Sequence, residues 1–257
     1  MGILNVTPDS FSDGGRFFSL DSAVAQAHRM VDEGADIIDV GGESTRPSSG
    51  QVSTEEERKR VIPVIKRLLD EIKVPVSIDT YKPEIAEEAL ELGVHLVNDV
   101  NAFREAGMAE VVAKYDVPCV LMHFAGGPHN MVPDPQYENL MEDIKLFLFE
   151  RIKAAEAAGI AKEKIILDPG IGFSKKKEHN LEILRKLGDL RTLGQPLLIG
   201  TSRKSFIGDV LERPPDERLY GTLASLVISI MHKVDFVRVH DVKEAFDAVR
   251  LADAVLR

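Results

Sequence analysis

The stretch Val74–Asp99, VPVSIDTYKPEIAEEALELGVHLVND, decides how the rest of the chain is read. A short apolar run, Val74–Ile78, stops at the polar Asp79. A helical period follows over Pro83–Leu92, opened by a proline suited to a first helical turn, and a second apolar run, His95–Val97, stops at Asn98. Strand, helix and strand in succession imply parallel strands joined by right-handed crossovers. The same unit recurs along the chain. Further runs at Met1–Val6, Ala35–Val40, Pro118–Met122, Lys164–Leu167, Pro196–Ile199 and Asp235–Val239 bring the apolar segments to eight. Helical periods fill Ser22–Glu33, Thr54–Ile72, Gln136–Ala158, Leu181–Leu187, Asp216–His232 and Val242–Leu256, and Thr54 with Glu57 has the spacing of a capping box. The expected fold is an α/β (β/α)8 TIM barrel, a single domain spanning residues 1–257. An open doubly wound sheet is the weaker competitor, because no Gly-x-Gly-x-x-Gly follows the first strand.

In such barrels the loops after the strands carry the chemistry. The strand ends therefore mark one ring of groups around one pocket: Asn5, Glu43 to Arg46, Asp79, Asn98, His123, Asp168, Lys204 with Ser205, and Arg238 with His240. Three longer loops on that face, Thr7–Leu20, Gly41–Ser53 and Phe124–Pro135, are placed to cover a ligand.

Composition narrows the partners. With 44% hydrophobic and 29% charged residues the 257-residue chain has the balance of an ordinary globular protein, and a net charge of -10 repels a nucleic-acid backbone. No apolar stretch approaches the length of a membrane span and no basic leader precedes an apolar core, so a cytoplasmic protein is expected. The one cysteine, Cys119, lies in an apolar strand and reads as a packed core residue. The histidines show no zinc spacing, and His28, His95, His129, His179 and His232 read as surface or packed side chains. The run Lys175–Lys177 reads as a solvated helix start.

Five strings occur in order at barrel-strand ends: MGILNVTPDSFSDGG at the start, DVGGESTRP, DPGIGF, GTSRKSF and VRVHD. Together they resemble dihydropteroate synthase, the folate-pathway family that joins a dihydropterin diphosphate to p-aminobenzoate, over nearly the whole chain. The resemblance implies that Asp168 grips the pterin edge, with Asn98, Asp79 and Lys204 adding hydrogen bonds, Met122 and Phe173 forming apolar walls and Arg238 stacking on the ring. It assigns Asn5, Arg46, Arg238 and His240 to the diphosphate, with Asn5 as a ligand of a Mg²⁺ cofactor. It assigns Ser205 to the p-aminobenzoate carboxylate, with Phe11, Thr45, Pro47 and Phe173 lining the slot. Asp13 and Arg46 are the loop residues that order the lid, so the catalytic set is Asp79, Asp168, Lys204, Arg238, His240, Asp13 and Arg46. The partners implied are those two small molecules and a second copy of the chain. A helical stripe of Leu223, Leu226, Val227 and Ile230 is the candidate homodimer surface.

Departures from the family pattern are Ser48 and Ser174, both where glycine is common, and a start almost at the first strand, where relatives generally carry an earlier segment. A pterin-binding methyltransferase would keep Asp79, Asn98 and Asp168 but would not need the Ser-Arg-Lys-Ser and Arg-Val-His strings. A non-catalytic barrel and a Schiff-base aldolase using Lys204 are the remaining alternatives.

Overall fold

The computed structural model describes residues 1–7, 20–43, 50–127, 132 and 135–256. Strands β1 (Gly2–Asn5), β2 (Ile38–Gly41), β3 (Val76–Asp79), β4 (Leu96–Asp99), β5 (Cys119–Met122) and β6 (Ile165–Asp168) pair in parallel, in chain order. β7 (Leu198–Ile199) pairs with β8 (Phe236–Val237), and parallel bridges Leu167 to Leu197 and Gly2 to Val239 join the two ladders. The ring is thus closed, which removes every sheet edge and excludes the open doubly wound alternative.

The surrounding helices are α1 (Leu20–Asp32), α2 (Thr54–Glu71), α3 (Pro83–Leu92), α4 (Met108–Tyr115), α5 (Leu140–Ala157), α6 (Lys177–Lys186), α7 (Ser205–Leu211), α8 (Leu219–Met231) and α9 (Val242–Leu256). α4 has no counterpart in the periodicity. It is two turns long between left-handed residues Gly107 and Asp116, and it buries only Met108 and Val112, too few to set a period. α6 begins four residues before its apolar period, because Lys177, Glu178 and His179 in its first turn do not face the core. The capping expectation is corrected at α2: Ser53, not Thr54, is the N-cap, its hydroxyl accepting from the Glu56 N–H at 3.2 Å. Glu57 instead binds the Lys82 ammonium at 2.5 Å, in a buried cluster that Lys82 also ties to Glu43.

Register determines which side chains enter the barrel. Partners in parallel strands share a face, so Asn5, Gly41, Asp79 and Asn98 form one inward level, Ile3, Asp39, Ser77 and Leu96 the level below, and Met122 and Asp168 the level above. The floor is filled by Leu96, Val120, Ile166 and Leu198, while the apolar residues of the opposite parity pack against the helices. Cys119 has that outward parity and is fully buried; burial raises its thiol pKa, so it packs as the sequence implies.

Candidate active site

The floor of the pocket is a four-residue polar network. Arg238, just past β8, donates from Nε to Asp39 Oδ2 at 2.6 Å and from Nη2 to Asp79 Oδ2 at 2.6 Å, and Asn98 Nδ2 donates to the same Asp39 oxygen at 2.9 Å. Two carboxylates on adjacent strands share one planar cation, which fixes the guanidinium plane as a single ammonium would not. Burial pushes the Asp79 pKa up, Arg238 opposes that, and Asp39 adds to it. Helix capping, the ordinary reading for an Asp at this position, does not apply to Asp79. Thr80 Oγ1 accepts the Lys82 N–H at the start of α3, and the Asp79 carboxylate turns inward to Arg238.

Asp39 is the residue that the sequence reading missed. It lies inside the apolar run Ala35–Val40 and not at its polar end, yet an inward-parity aspartate amid Ile and Val is a legible signal. It is fully buried, and its second oxygen, like the hydroxyl of its register partner Ser77, has no hydrogen-bond partner among the described residues.

Asp168 ends β6 and forms the opposite wall. Its Oδ1 accepts the Gly170 N–H at 2.7 Å, which turns the chain sharply into the Gly170–Lys175 loop. Gly170 is required there: φ is +70° and a Cβ would come within 2.0 Å of the His123 carbonyl oxygen. Lys204, before α7, donates to the Ile171 carbonyl and places its ammonium 4.2 Å from the centroid of the Phe173 ring. A Cβ on Gly172, where φ is +80°, would strike the Lys204 stem at 2.8 Å. Burial raises the Asp168 pKa against the attraction of Lys204, and burial lowers that of Lys204 to about 8 against the pull of Asp168. Met122 packs with Tyr81, Val100 and Phe124, and Phe124 meets Phe173 edge-on at 5.3 Å. The seven residues expected around the pterin, Asp79, Asn98, Met122, Asp168, Phe173, Lys204 and Arg238, therefore converge at the carboxyl ends of the strands.

The remaining expectations divide. Asn5 closes β1 on the same level as Asp79 and Asn98, and Ser205 is exposed at the start of α7. The His240 Nδ1 lies 2.9 Å from Ser202 Oγ, which also accepts the His240 N–H at 3.2 Å, so Ser202 orients that ring. His123 has outward parity and is corrected as a rim candidate. It is 4% exposed, packs edge-on against Phe147 at 5.0 Å, and burial lowers its pKa to about 2. Ser174 has φ +45°, which explains why glycine would be easy there. Its hydroxyl donates to the Ala125 carbonyl at 2.6 Å and accepts the Val132 N–H at 3.2 Å, linking the loops after β5 and β6. Phe11, Asp13, Thr45, Arg46, Pro47, Ser48 and His129 lie outside the described residues. Among the described residues no group of His, Cys, Asp and Glu is arranged to hold a metal ion by itself.

A model of the pterin binding enzyme family matches residues 1–240. A dihydropteroate synthase from Clostridium beijerinckii is 53% identical over 259 residues, covering 100% of this chain and 94% of that protein. The chain belongs to the dihydropteroate synthases. Among solved structures of the family, the Yersinia pestis dihydropteroate synthase with a sulfonamide drug complex is 47% identical with a TM-score of 0.94, covering 99% of this chain and 92% of that one. The Xanthomonas albilineans dihydropteroate synthase with 4-aminobenzoic acid is 44% identical with a TM-score of 0.94, covering 99% and 91%. As a dihydropteroate synthase the chain is a transferase of folate biosynthesis: it condenses 6-hydroxymethyl-7,8-dihydropterin diphosphate with p-aminobenzoate, giving 7,8-dihydropteroate and diphosphate. The methyltransferase, scaffold and aldolase alternatives give way to that membership.

Proposed function

We propose that dihydropteroate forms in the pocket bounded by the Asp39–Arg238–Asp79–Asn98 floor and the Asp168–Lys204–Phe173 wall, within one pterin-binding domain spanning residues 1–257. The observation that carries this is the convergence of three carboxylates, a carboxamide and two cations around apolar Met122 and Phe173 at one end of the barrel. A dihydropterin has adjacent N–H donors that a carboxylate accepts as a pair, and Asp168 takes that role. Its Gly170 bond uses one of about four lone-pair sites. Asn98 and Asp79 bind further ring atoms, Lys204 donates to ring acceptors, and Arg238 stacks its plane on the ring.

Loss of diphosphate leaves a cation on the exocyclic methylene, delocalised into the dihydropterin. Asp79 and Asp168 offset its charge, while Arg238, Arg46 and His240 hold the departing anion. The p-aminobenzoate nitrogen then attacks that carbon and gives up a proton. The pocket contributes alignment and exclusion of water, with no protein nucleophile. Ser205 binds the p-aminobenzoate carboxylate beside Phe173. Phe11, Thr45 and Pro47 complete the slot, and Asp13 with Arg46 orders the loops around it. A coupled assay of diphosphate release with both substrates tests the reading; a folded enzyme that releases none would overturn it.

The residues fit the Mg²⁺ expected of the family. Asn5 offers a hard carboxamide oxygen beside the proposed diphosphate position, and Mg²⁺ suits a site of few protein groups plus phosphate oxygens. When bound, the ion neutralises charge on the leaving diphosphate. Replacing Asn5 by alanine is expected to raise the Mg²⁺ concentration needed for half-maximal turnover; an unaltered dependence would reduce Asn5 to a turn residue.

A homodimer is part of the same proposal, with a corrected surface. Leu226 and Ile230 face the barrel, together with small polar Thr222, Ser225 and Ser229. The outer face of α8 is the apolar one: Tyr220, Ile228 and Met231 are 81%, 43% and 63% exposed, and Leu251 and Val255 of neighbouring α9 are 68% and 75% exposed. A helix that buries hydroxyls and exposes large apolar groups calls for cover by another surface. Light scattering at micromolar protein is expected to give twice the chain mass, and Met231→Glu to give a monomer; a monomeric parent would remove the dimer. The proposal places the enzyme in the cytoplasm. Among the described residues no helix is long and apolar enough to cross a membrane.

A further inference from the structure

Lys175 departs from its sequence reading. Lys176 and Lys177 are exposed, as a solvated helix start requires, but Lys175 folds inward. Its ammonium lies 2.9 Å from His123 Nδ1, and it donates to the Phe173 carbonyl at 3.1 Å and to the His123 carbonyl at 3.4 Å. His123 is neutral here, since burial and then the Lys175 and Arg104 cations depress its pKa, so Nδ1 accepts. The ammonium also lies close to Gly170, where an added Cβ would be 3.3 Å from Nζ, and the Gly170 N–H is bound to the Asp168 carboxylate. Lys204 holds the same loop at Ile171. The short turn that leads out of Asp168 is thus held by two lysines: Lys204 lies over the Phe173 ring, while Lys175 binds the Phe173 carbonyl.

We infer that Lys175 is a positioning residue for Asp168, keeping its carboxylate ionised and able to accept the pterin N–H donors under acidic conditions. This rests on the assignment of Asp168 to the pterin edge. The charged groups facing the pair are Lys204 from the start of α7, Arg238 from the end of β8 and, beyond His123, Arg104 from the loop after β4. Burial raises the Asp168 pKa, and Lys204, the Gly170 N–H, Lys175 and Arg238 oppose the rise. Burial lowers the Lys175 pKa to about 7, with Asp168 opposing and Lys204 reinforcing. The cation is therefore present in full well below neutrality, where a buried carboxylate is most at risk of taking a proton. It fades at higher pH, where the carboxylate no longer needs it.

A merely structural lysine would predict a uniform loss of pterin affinity on replacement. The inference predicts a change in pH profile. Calorimetric affinity for 6-hydroxymethyl-7,8-dihydropterin, measured from acid to neutral pH, is expected to show the acid limb of Lys175→Met displaced upward by about one pH unit, or about tenfold weaker binding on that limb. Lys175→Arg, which keeps the charge, is expected to retain the parental limb. If the methionine variant does not fold, Lys175→Gln removes the charge with polarity kept. A limb that stays in place in the folded neutral variant, or an equal loss at every pH, overturns the inference. Asp168→Asn in the same titrations separates the two readings. Parental affinity there would remove Asp168 from the pterin, whereas weakened binding in that variant with an unmoved limb in the neutral Lys175 variant would sink the Lys175 inference alone.

Discussion

Arg238→Met is expected to destabilise the fold by roughly 3–5 kcal/mol, the usual cost of stripping one partner from a buried ion pair. Arg238 is the only cation hydrogen-bonded to either Asp39 or Asp79 among the described residues, and Asp39 is fully buried. Without it, two carboxylates on neighbouring strands face each other in the barrel, with Asn98 as the remaining donor to Asp39. The loss should shrink as pH falls, because protonated carboxyls no longer need a cation. The Asp79 carboxyl, its pKa raised by burial, takes up its proton at a milder pH than an ordinary carboxyl does. Urea denaturation of parent and variant at neutral and acidic pH measures both effects. A variant as stable as the parent at neutral pH would mean that the network contributes little to the fold. Arg238→Lys should recover only part of the stability, since one ammonium cannot reach both oxygens in the directions that Nε and Nη2 now use.

Asp168→Asn should weaken pterin binding at least about tenfold, because each lost charge-assisted hydrogen bond costs roughly 1.5–3 kcal/mol. An amide presents one acceptor oxygen and one donor group where the ligand edge needs two acceptors. The Gly170 N–H donates to the same carboxylate, so the amide must also divide its oxygen between Gly170 and the ligand. Affinity of the parent should fall as pH drops through the raised pKa of Asp168, and that acid limb should vanish in the variant. Calorimetry with the dihydropterin reads both. Unchanged affinity in a folded variant would place the pterin elsewhere.

Much of the fold was legible because its signals are local. Eight apolar runs ending at polar residues or glycine become eight parallel strands, and Pro83–Leu92 and Thr54–Ile72 become helices with bounds that agree to within a residue. Polar residues at strand ends announced the pocket where they broke an apolar run with inward parity, as at Asp79, Asn98 and Asp168. Asp39 was missed because it sits inside such a run, and α4 because two buried residues set no period. His123 was misplaced because the end of a strand does not reveal which way a side chain points; one step of parity turned it from the pocket to α5.

By itself, then, the sequence determined the repeating strand-helix unit and the set of residue types that the chemistry needs, because hydrophobic period and strand-end polarity act within a few residues of each other. Only the tertiary structure decided the barrel's closure, the sharing of Arg238 between Asp39 and Asp79, the inward fold of Lys175 and the outward apolar face of α8. These depend on register and parity between segments far apart in the chain, such as Asp39 and Arg238, which are 199 residues apart. Such contacts exist only once ring closure brings the last strand beside the first.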